Sequence, residues 1–213
     1  MSNVIFVSGI DTDAGKTYAT GWYASRLMAE GQKVATQKFI QTGNTGMSED
    51  IEAHRRIMGV DLMDVDTQHI TAPLIFSYPA SAQLAATIDR KTIDLELVDK
   101  ATDCLSKEFD TVLIEGAGGL MAPIDDDFLT IDYITTRHLP VSLVTNSKLG
   151  SISHTLLCLE AIKTRGIQLH SVMYNSYFDS TDQLIANDTY SFIARYLKRN
   201  FPDTPLLTVP AID

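Results

Sequence analysis

The segment GIDTDAGKT, residues 9–17, sets a glycine, a lysine and a threonine in the order that phosphate chemistry requires. The common phosphate loop reads G-x-x-x-x-G-K-[ST]; here Ile10 fills the slot of its first glycine and Gly9 stands one residue early. That displacement lengthens the loop by one residue without removing it. Gly15 lets the backbone approach a ligand, the N–H groups of a helix starting there favour an anion, Lys16 adds an ammonium, and Thr17 offers a hydroxyl to Mg²⁺. Asp13 sits awkwardly beside a phosphate unless it faces an amine or a metal ion.

Four further side chains carry chemistry. Glu115, in VLIEGAGG, lies at the tip of an apolar run, where a buried carboxylate is costly unless paired or bound to a metal, so it reads as a Mg²⁺ ligand, directly or through water. Gly116, Gly118 and Gly119 after it would expose backbone N–H groups to an anion. Lys38 ends another run; it either reaches for solvent or opens onto the same sheet edge as Lys16. Asp50, in SEDIEAH, is either a helix cap or a second carboxylate for the metal. Asn175 ends a later run, and its amide suits either a purine edge or a turn.

These positions need a frame, and the hydrophobic pattern supplies one. Apolar, β-rich runs occupy 4–9, 33–38, 111–116, 141–146, 169–175 and 205–209. They are continuous rather than alternating, as expected of strands covered on both faces. Helical patterns lie between them, at roughly 15–30, 50–58, 81–88, 94–108, 127–138, 150–165 and 181–199. Asp94 is placed to cap the fourth, with Leu97, Val98, Ala101 and Leu105 along one face. The alternation predicts a doubly wound α/β fold over 1–213, a mainly parallel sheet with helices on both faces and a single domain. Ligands of such folds sit at the carboxyl ends of the strands, which is where the phosphate loop, Lys38, Glu115 and Asn175 fall.

Composition narrows the partners. A net charge of −10 without clustered Lys or Arg argues against a nucleic-acid or anionic-membrane surface. The first apolar run is too short for a signal peptide or a membrane span, so a cytoplasmic protein is expected. Cys104 and Cys158 read as buried free thiols. The five histidines, His54 among them, show no metal-binding spacing and receive no chemical role. Asp125–Asp127 read as a solvated cap of the following helix. No Ser/His/Asp or Cys/His arrangement is apparent, and the residues alone predict an enzyme of nucleoside triphosphates.

From residue 1 to about 210 the chain resembles the dethiobiotin synthetases, a family of the P-loop NTPase superfamily: GIDTDAGKT, Lys38 with QTG, Asp50, YPAS at 78–81, VLIEGAGGLMAPI, TNSKLGSISH and Tyr174-Asn175 recur in the family's order. The family's own loop has the same early glycine. The resemblance implies ring closure of 7,8-diaminononanoate with CO₂ and ATP. It implies Lys38 and Lys16 as catalytic lysines, Thr17, Asp50 and Glu115 as Mg²⁺ ligands, and ATP contacts at Asp13, Ala14, Gly15, Lys16, Thr17, Tyr18, Asp50, Glu115, Gly116, Ala117, Gly118, Asn175 and Pro210. Substrate contacts fall at Thr42, Ser81, Gly118, Leu149, Gly150 and Ser153, the last three at a homodimer interface where they serve the partner's substrate.

The chain departs from the family pattern in places. Ser153 stands where asparagine is frequent, Asp13 replaces a commoner glutamate, and Leu120 stands where an aromatic occurs. With the sequence ending at Asp213, Pro210 flanks adenine and a longer wall for that pocket is expected to be missing, which predicts loose base discrimination. The rival reading is a switch or positioning ATPase of related fold. Such proteins carry a second lysine early in the loop, whereas positions 10–14 read Ile-Asp-Thr-Asp-Ala. A small-molecule kinase would need a lid with several arginines, and here only Arg55 and Arg56 are adjacent.

Overall fold

Residues 2–211 are described in a computed structural model, apart from the side chains of 178, 180 and 181. The strands are β1 (Asn3–Gly9), β2 (Val34–Lys38), β3 (Gln41–Thr42), β4 (Ile75–Phe76), β5 (Thr111–Gly119), β6 (Val141–Asn146), β7 (Leu169–Asn175) and β8 (Leu206–Val209). The helices are α1 (Lys16–Ala29), α2 (Glu49–Met58), α3 (Asp64–Thr67), α4 (Ala82–Asp89), α5 (Leu95–Glu108), α6 (Thr130–Thr136), α7 (Ser151–Thr164) and α8 (Gln183–Asn200). Six strands form one parallel sheet in the order β2-β5-β1-β6-β7-β8; β3 and β4 pair separately.

Strand β1 shows why the runs are continuous. Ile5 and Val7 pack with Ala19, Tyr23 and Leu27 of α1, while Phe6, pointing the other way, joins Val98 and Leu105 of α5 and Ile131 of α6. Both faces of the strand are covered, so its middle, residues 4–7, is apolar at every position. The helices therefore lie on both faces, as the pattern predicts.

The register decides what meets at the rim. Lys38 is the partner of Glu115 across β2 and β5, and Glu115 is the partner of Val7 across β5 and β1. A register shift follows, after which Gly9 pairs with Gly119. Strand β5 thus runs to Gly119 rather than stopping at 116, because its glycines let it stay beside β1 as the latter turns into the phosphate loop. A Cβ on Gly116 would come within 2.9 Å of the Phe6 ring.

Other differences from the sequence pattern have local causes. Helix α6 begins at Thr130 instead of 127, since Pro123 and Leu129 form a bridge across the turn and Asp132 reaches back to the Leu129 N–H at 2.9 Å. Asp125–Asp127 are exposed, as expected, but belong to that turn and cap no helix. Helix α8 starts after Asp182, whose carboxylate accepts from the N–H groups of Leu184 and Ile185. Asp94 caps α5 through the Glu96 N–H, as anticipated. The elements β3, β4 and α3 are too short to leave a periodic signal. Cys104 and Cys158 are free thiols, partly rather than fully buried. Among the described residues no helix is long and apolar enough to cross a membrane.

Candidate active site

The loop between β1 and α1 is shaped by Asp11, Gly15 and Asn175. Asp11 accepts from the Thr12 N–H, starting a 3-10 turn over Thr12–Ala14. Gly15 then takes φ +87°, a left-handed conformation that L side chains resist, and it caps α1. A Cβ there would lie 2.0 Å from Nδ2 of Asn175, so the position excludes side chains twice over. Asn175 donates to the Ala14 carbonyl at 3.2 Å and accepts from the Tyr177 N–H at 3.1 Å. Its amide therefore ties the end of β7 to the phosphate loop.

Lys16 folds back over this loop, donating to the carbonyls of Asp11 and Thr12, each at 3.1 Å. Burial lowers its pKa to about 8, against the opposing pull of Glu115 and Asp50. Ahead of it stands a tight cluster. Lys38 Nζ lies 2.6 Å from Asp50 Oδ2 and 2.8 Å from Glu115 Oε1, and donates to the Gly116 carbonyl at 3.3 Å. Thr17 Oγ1 is 3.0 Å from Asp50 Oδ1 and 2.9 Å from Glu115 Oε1. Burial alone would raise the Glu115 pKa, but the Lys38 ammonium and a hydrogen bond from His54 hold it well below the usual carboxylate range. The Lys38 pKa is raised: burial acts downward, and the two carboxylates outweigh it.

One hydroxyl hydrogen cannot be given to two carboxylates at once. Oxygens of Thr17, Asp50 and Glu115, supplied by α1, α2 and β5, converge on one region in a manner that suits a hard cation better than a hydrogen-bond network. Among the described residues no group of three or more His, Cys, Asp or Glu is placed to hold a metal unaided. The donor set therefore fits Mg²⁺, which takes one or two carboxylates and completes its shell with phosphate oxygens and water.

The cluster opens into a cavity of about 590 Å³ whose wall includes Lys16, Thr17, Lys38, Asp50 and Glu115. A second cavity, about 510 Å³, shares Thr12, Ile40, Thr42, Ala117 and Gly118 with it and is otherwise mostly apolar. The first is rimmed by ammonium and carboxylate groups, the second by aliphatic side chains.

A family model described as an AAA domain matches residues 3–209. The ATP-dependent dethiobiotin synthetase BioD 2 of Pasteurella multocida is 47% identical over 204 residues, covering 96% of this chain and 95% of the relative. That of Haemophilus influenzae is 52% identical over 177 residues, 83% of this chain and 93% of its own length. The chain belongs to the ATP-dependent dethiobiotin synthetase family. It is thus an ATP-dependent ligase of biotin biosynthesis. The dethiobiotin synthetase of Chlorobaculum tepidum, 43% identical over 205 residues, spans 96% of the chain and 85% of the relative. Solved structures of similar shape include ParA of pNOB8 bound to nonspecific DNA (TM-score 0.57, 13% identity, 100% of this chain and 86% of that one). A plasmid partition protein from Borrelia burgdorferi bound to AMPPNP is comparable (TM-score 0.56, 14% identity, 100% and 87%). At such identity they speak for the fold alone.

Most of the residues that the synthetase resemblance implies gather at the two cavities. Asp13, Gly15, Lys16, Thr17, Tyr18, Lys38, Thr42, Asp50, Glu115, Ala117, Gly118 and Asn175 line the first cavity. Ser81 lines the second together with Thr42 and Gly118. Ala14 is buried behind the loop, and Gly116 presents its carbonyl to Lys38. Pro210 is exposed just past β8 and lines neither cavity. Leu149, Gly150 and Ser153, at the start of α7, also line neither; Leu149 is 84% exposed.

Sequence reasoning passed over His54. It is fully buried, with Nε2 2.6 Å from Glu115 Oε2 and Nδ1 3.0 Å from Thr36 Oγ1. A signal existed: His54 follows Asp50 by four residues on a predicted helix, which puts both on one face. Thr36, Thr12 and Tyr177 left no such trace.

Proposed function

We propose that ATP lies over the loop from Gly9 to Thr17 in the first cavity, and that 7,8-diaminononanoate extends its aliphatic chain into the second, so that amines and γ-phosphate meet at the shared wall. The observation that carries this reading is the convergence of Lys16, Lys38, Thr17, Asp50 and Glu115 on one rim, next to an apolar cavity with which it shares Thr42 and Gly118. One amine adds to CO₂ and loses a proton, giving a carbamate. A carbamate oxygen attacks the γ-phosphorus and displaces ADP, and the second amine then attacks the carbonyl carbon and expels phosphate, closing the cyclic urea. Such chemistry depends on positioning and charge neutralisation.

Lys16 holds the β- and γ-phosphates. Lys38, freed from one of its carboxylates, steadies the carbamate and the phosphoryl group in flight. Thr17, Asp50 and Glu115 hold Mg²⁺, which supplies charge neutralisation at the phosphates. Leu149, Gly150 and Ser153 act across a homodimer interface, consistent with the exposure of Leu149, just before α7, and of Leu157, which is 67% exposed on α7. The reaction would take place in the cytoplasm. Purified protein incubated with ATP, Mg²⁺, bicarbonate and the diamine is expected to yield the cyclic urea by mass spectrometry. ATP hydrolysis indifferent to the diamine would overturn this reading.

A further inference from the structure

We infer that His54 is a positioning residue: it clamps one carboxylate oxygen of Glu115 and so presents only the other to the reacting rim. The inference rests on the metal role of Glu115 proposed above. Asp50 and His54 project from one face of α2, which Ser48 fixes by accepting the Ile51 N–H. Asp50 addresses Lys38 and Thr17, while His54 addresses Glu115 from behind. The two oxygens of Glu115 are thus divided. Oε1 receives Lys38 and Thr17, and Oε2 meets His54 Nε2 at 2.6 Å.

The ring is itself held by a buried chain of partners. A carboxylate has no hydrogen to give, so Nε2 is the donor to Glu115. Thr36 Oγ1 accepts from Arg55 Nη1 at 2.9 Å and lies 3.0 Å from His54 Nδ1, so the ring is hydrogen-bonded at both nitrogens. Arg55 is gripped by Asp66 through two bonds, 2.8 and 2.7 Å, and Asp66 also accepts from the Met63 N–H and the Thr71 hydroxyl. Thr36, His54, Arg55 and Asp66 are each at most 2% exposed. No solvent stands ready to replace the His54 bond, so turning the Glu115 carboxylate would leave a buried donor unpaired. Glu115 is restricted to one oxygen, aimed where Lys38 and Thr17 converge. With an aliphatic residue at 54 the carboxylate is free to turn.

The test measures Mn²⁺, a spectroscopic substitute for Mg²⁺, binding to the ADP complex by EPR in the wild type, His54→Leu, His54→Gln, Thr36→Val and Glu115→Gln. His54→Leu is expected to weaken Mn²⁺ binding about 10–100-fold, the range for loss of a group that orients a metal ligand, with metal-free ADP affinity unchanged. His54→Gln, whose amide N–H reaches the place of Nε2, should recover most of it, and the half-saturating Mg²⁺ for turnover should follow the same order. Wild-type Mn²⁺ affinity in His54→Leu, or a glutamine variant no better than the leucine one, overturns the proposal. So does an equal loss of metal-free ADP binding, the mark of a packing defect. If the leucine variant does not fold, Thr36→Val must weaken Mn²⁺ binding more than His54→Gln does, and the reverse order overturns the proposal. A metal site lost in Glu115→Gln but intact in His54→Leu sinks this inference alone; one indifferent to Glu115→Gln sinks the metal reading with it.

Discussion

Replacing Lys38 by methionine tests the centre of the site. Lys38 is the cation between two carboxylates, at 2.6 Å from Asp50 and 2.8 Å from Glu115, and its side chain is 7% exposed. Methionine keeps the volume of the stem and removes the charge. Glu115, with its side chain 1% exposed, then keeps only His54 and Thr17, and breaking a buried ion pair from one side costs about 3–5 kcal/mol. Asp50, 24% exposed, retains solvent and pulls the cost toward the lower end. For a chain of this size that is a fall in Tm of roughly 6–20 °C, at about 2–4 °C per kcal/mol. Lys38→Met combined with Glu115→Gln places two neutral side chains together and should recover most of the loss, giving a coupling of about 2 kcal/mol or more in a double-mutant cycle. Denaturant unfolding of the four proteins measures it. Additivity within about 0.5 kcal/mol would refute the claim that the two groups stabilise each other. In the assay for the cyclic urea, Lys38→Met should retain ADP binding while kcat falls about 10²–10³-fold, the loss typical of one transition-state donor; unchanged turnover removes Lys38 from its role.

Two further outcomes follow from the loop. Gly15→Ala forces a side chain into φ +87° and onto Asn175, and should cost about 2–4 kcal/mol from left-handed strain plus a displaced amide; Asn175→Ala in the same chain should return part of that, and a double variant as unstable as the sum would rule out the contact. Lys16, with a pKa of about 8 in the free protein, carries its charge below that pH, and a bound polyphosphate favours the charged form and raises the pKa. Affinity for ADP should therefore be flat near pH 7 and fall as pH rises above 8, by up to about tenfold per unit, with proton uptake on binding. Calorimetry at pH 8.5 in buffers of different ionisation enthalpy detects that uptake, and its persistence in Lys16→Arg would exclude Lys16 as the source.

Much of this molecule is written locally. The continuous apolar runs specify strands buried on both faces, their alternation with amphipathic helices specifies the parallel sheet, and the GIDTDAGKT turn marks where a phosphate must sit, because each of these depends on residues near one another in the chain. The short elements β3, β4 and α3 and the start of α6 were not legible, since a bridge such as Pro123 to Leu129 depends on how the chain folds back rather than on periodicity.

Lys38 and Asp50 show the boundary most clearly. From sequence, each has an ordinary alternative, a solvated lysine and a helix cap. Strand register places Lys38 opposite Glu115, and the packing of α2 beside β2 brings Asp50 to Lys38 and His54 to Glu115. Ser48, not Asp50, caps the helix, and Asp50 is left for the cluster. The sequence by itself determined the strands, the phosphate loop and the types of groups available. Only the tertiary structure decided that residues 16, 38, 50, 54 and 115 share one cluster of ion pairs and hydrogen bonds, because the attraction between such groups depends on distance and burial in space, and neither quantity is encoded in spacing along the chain.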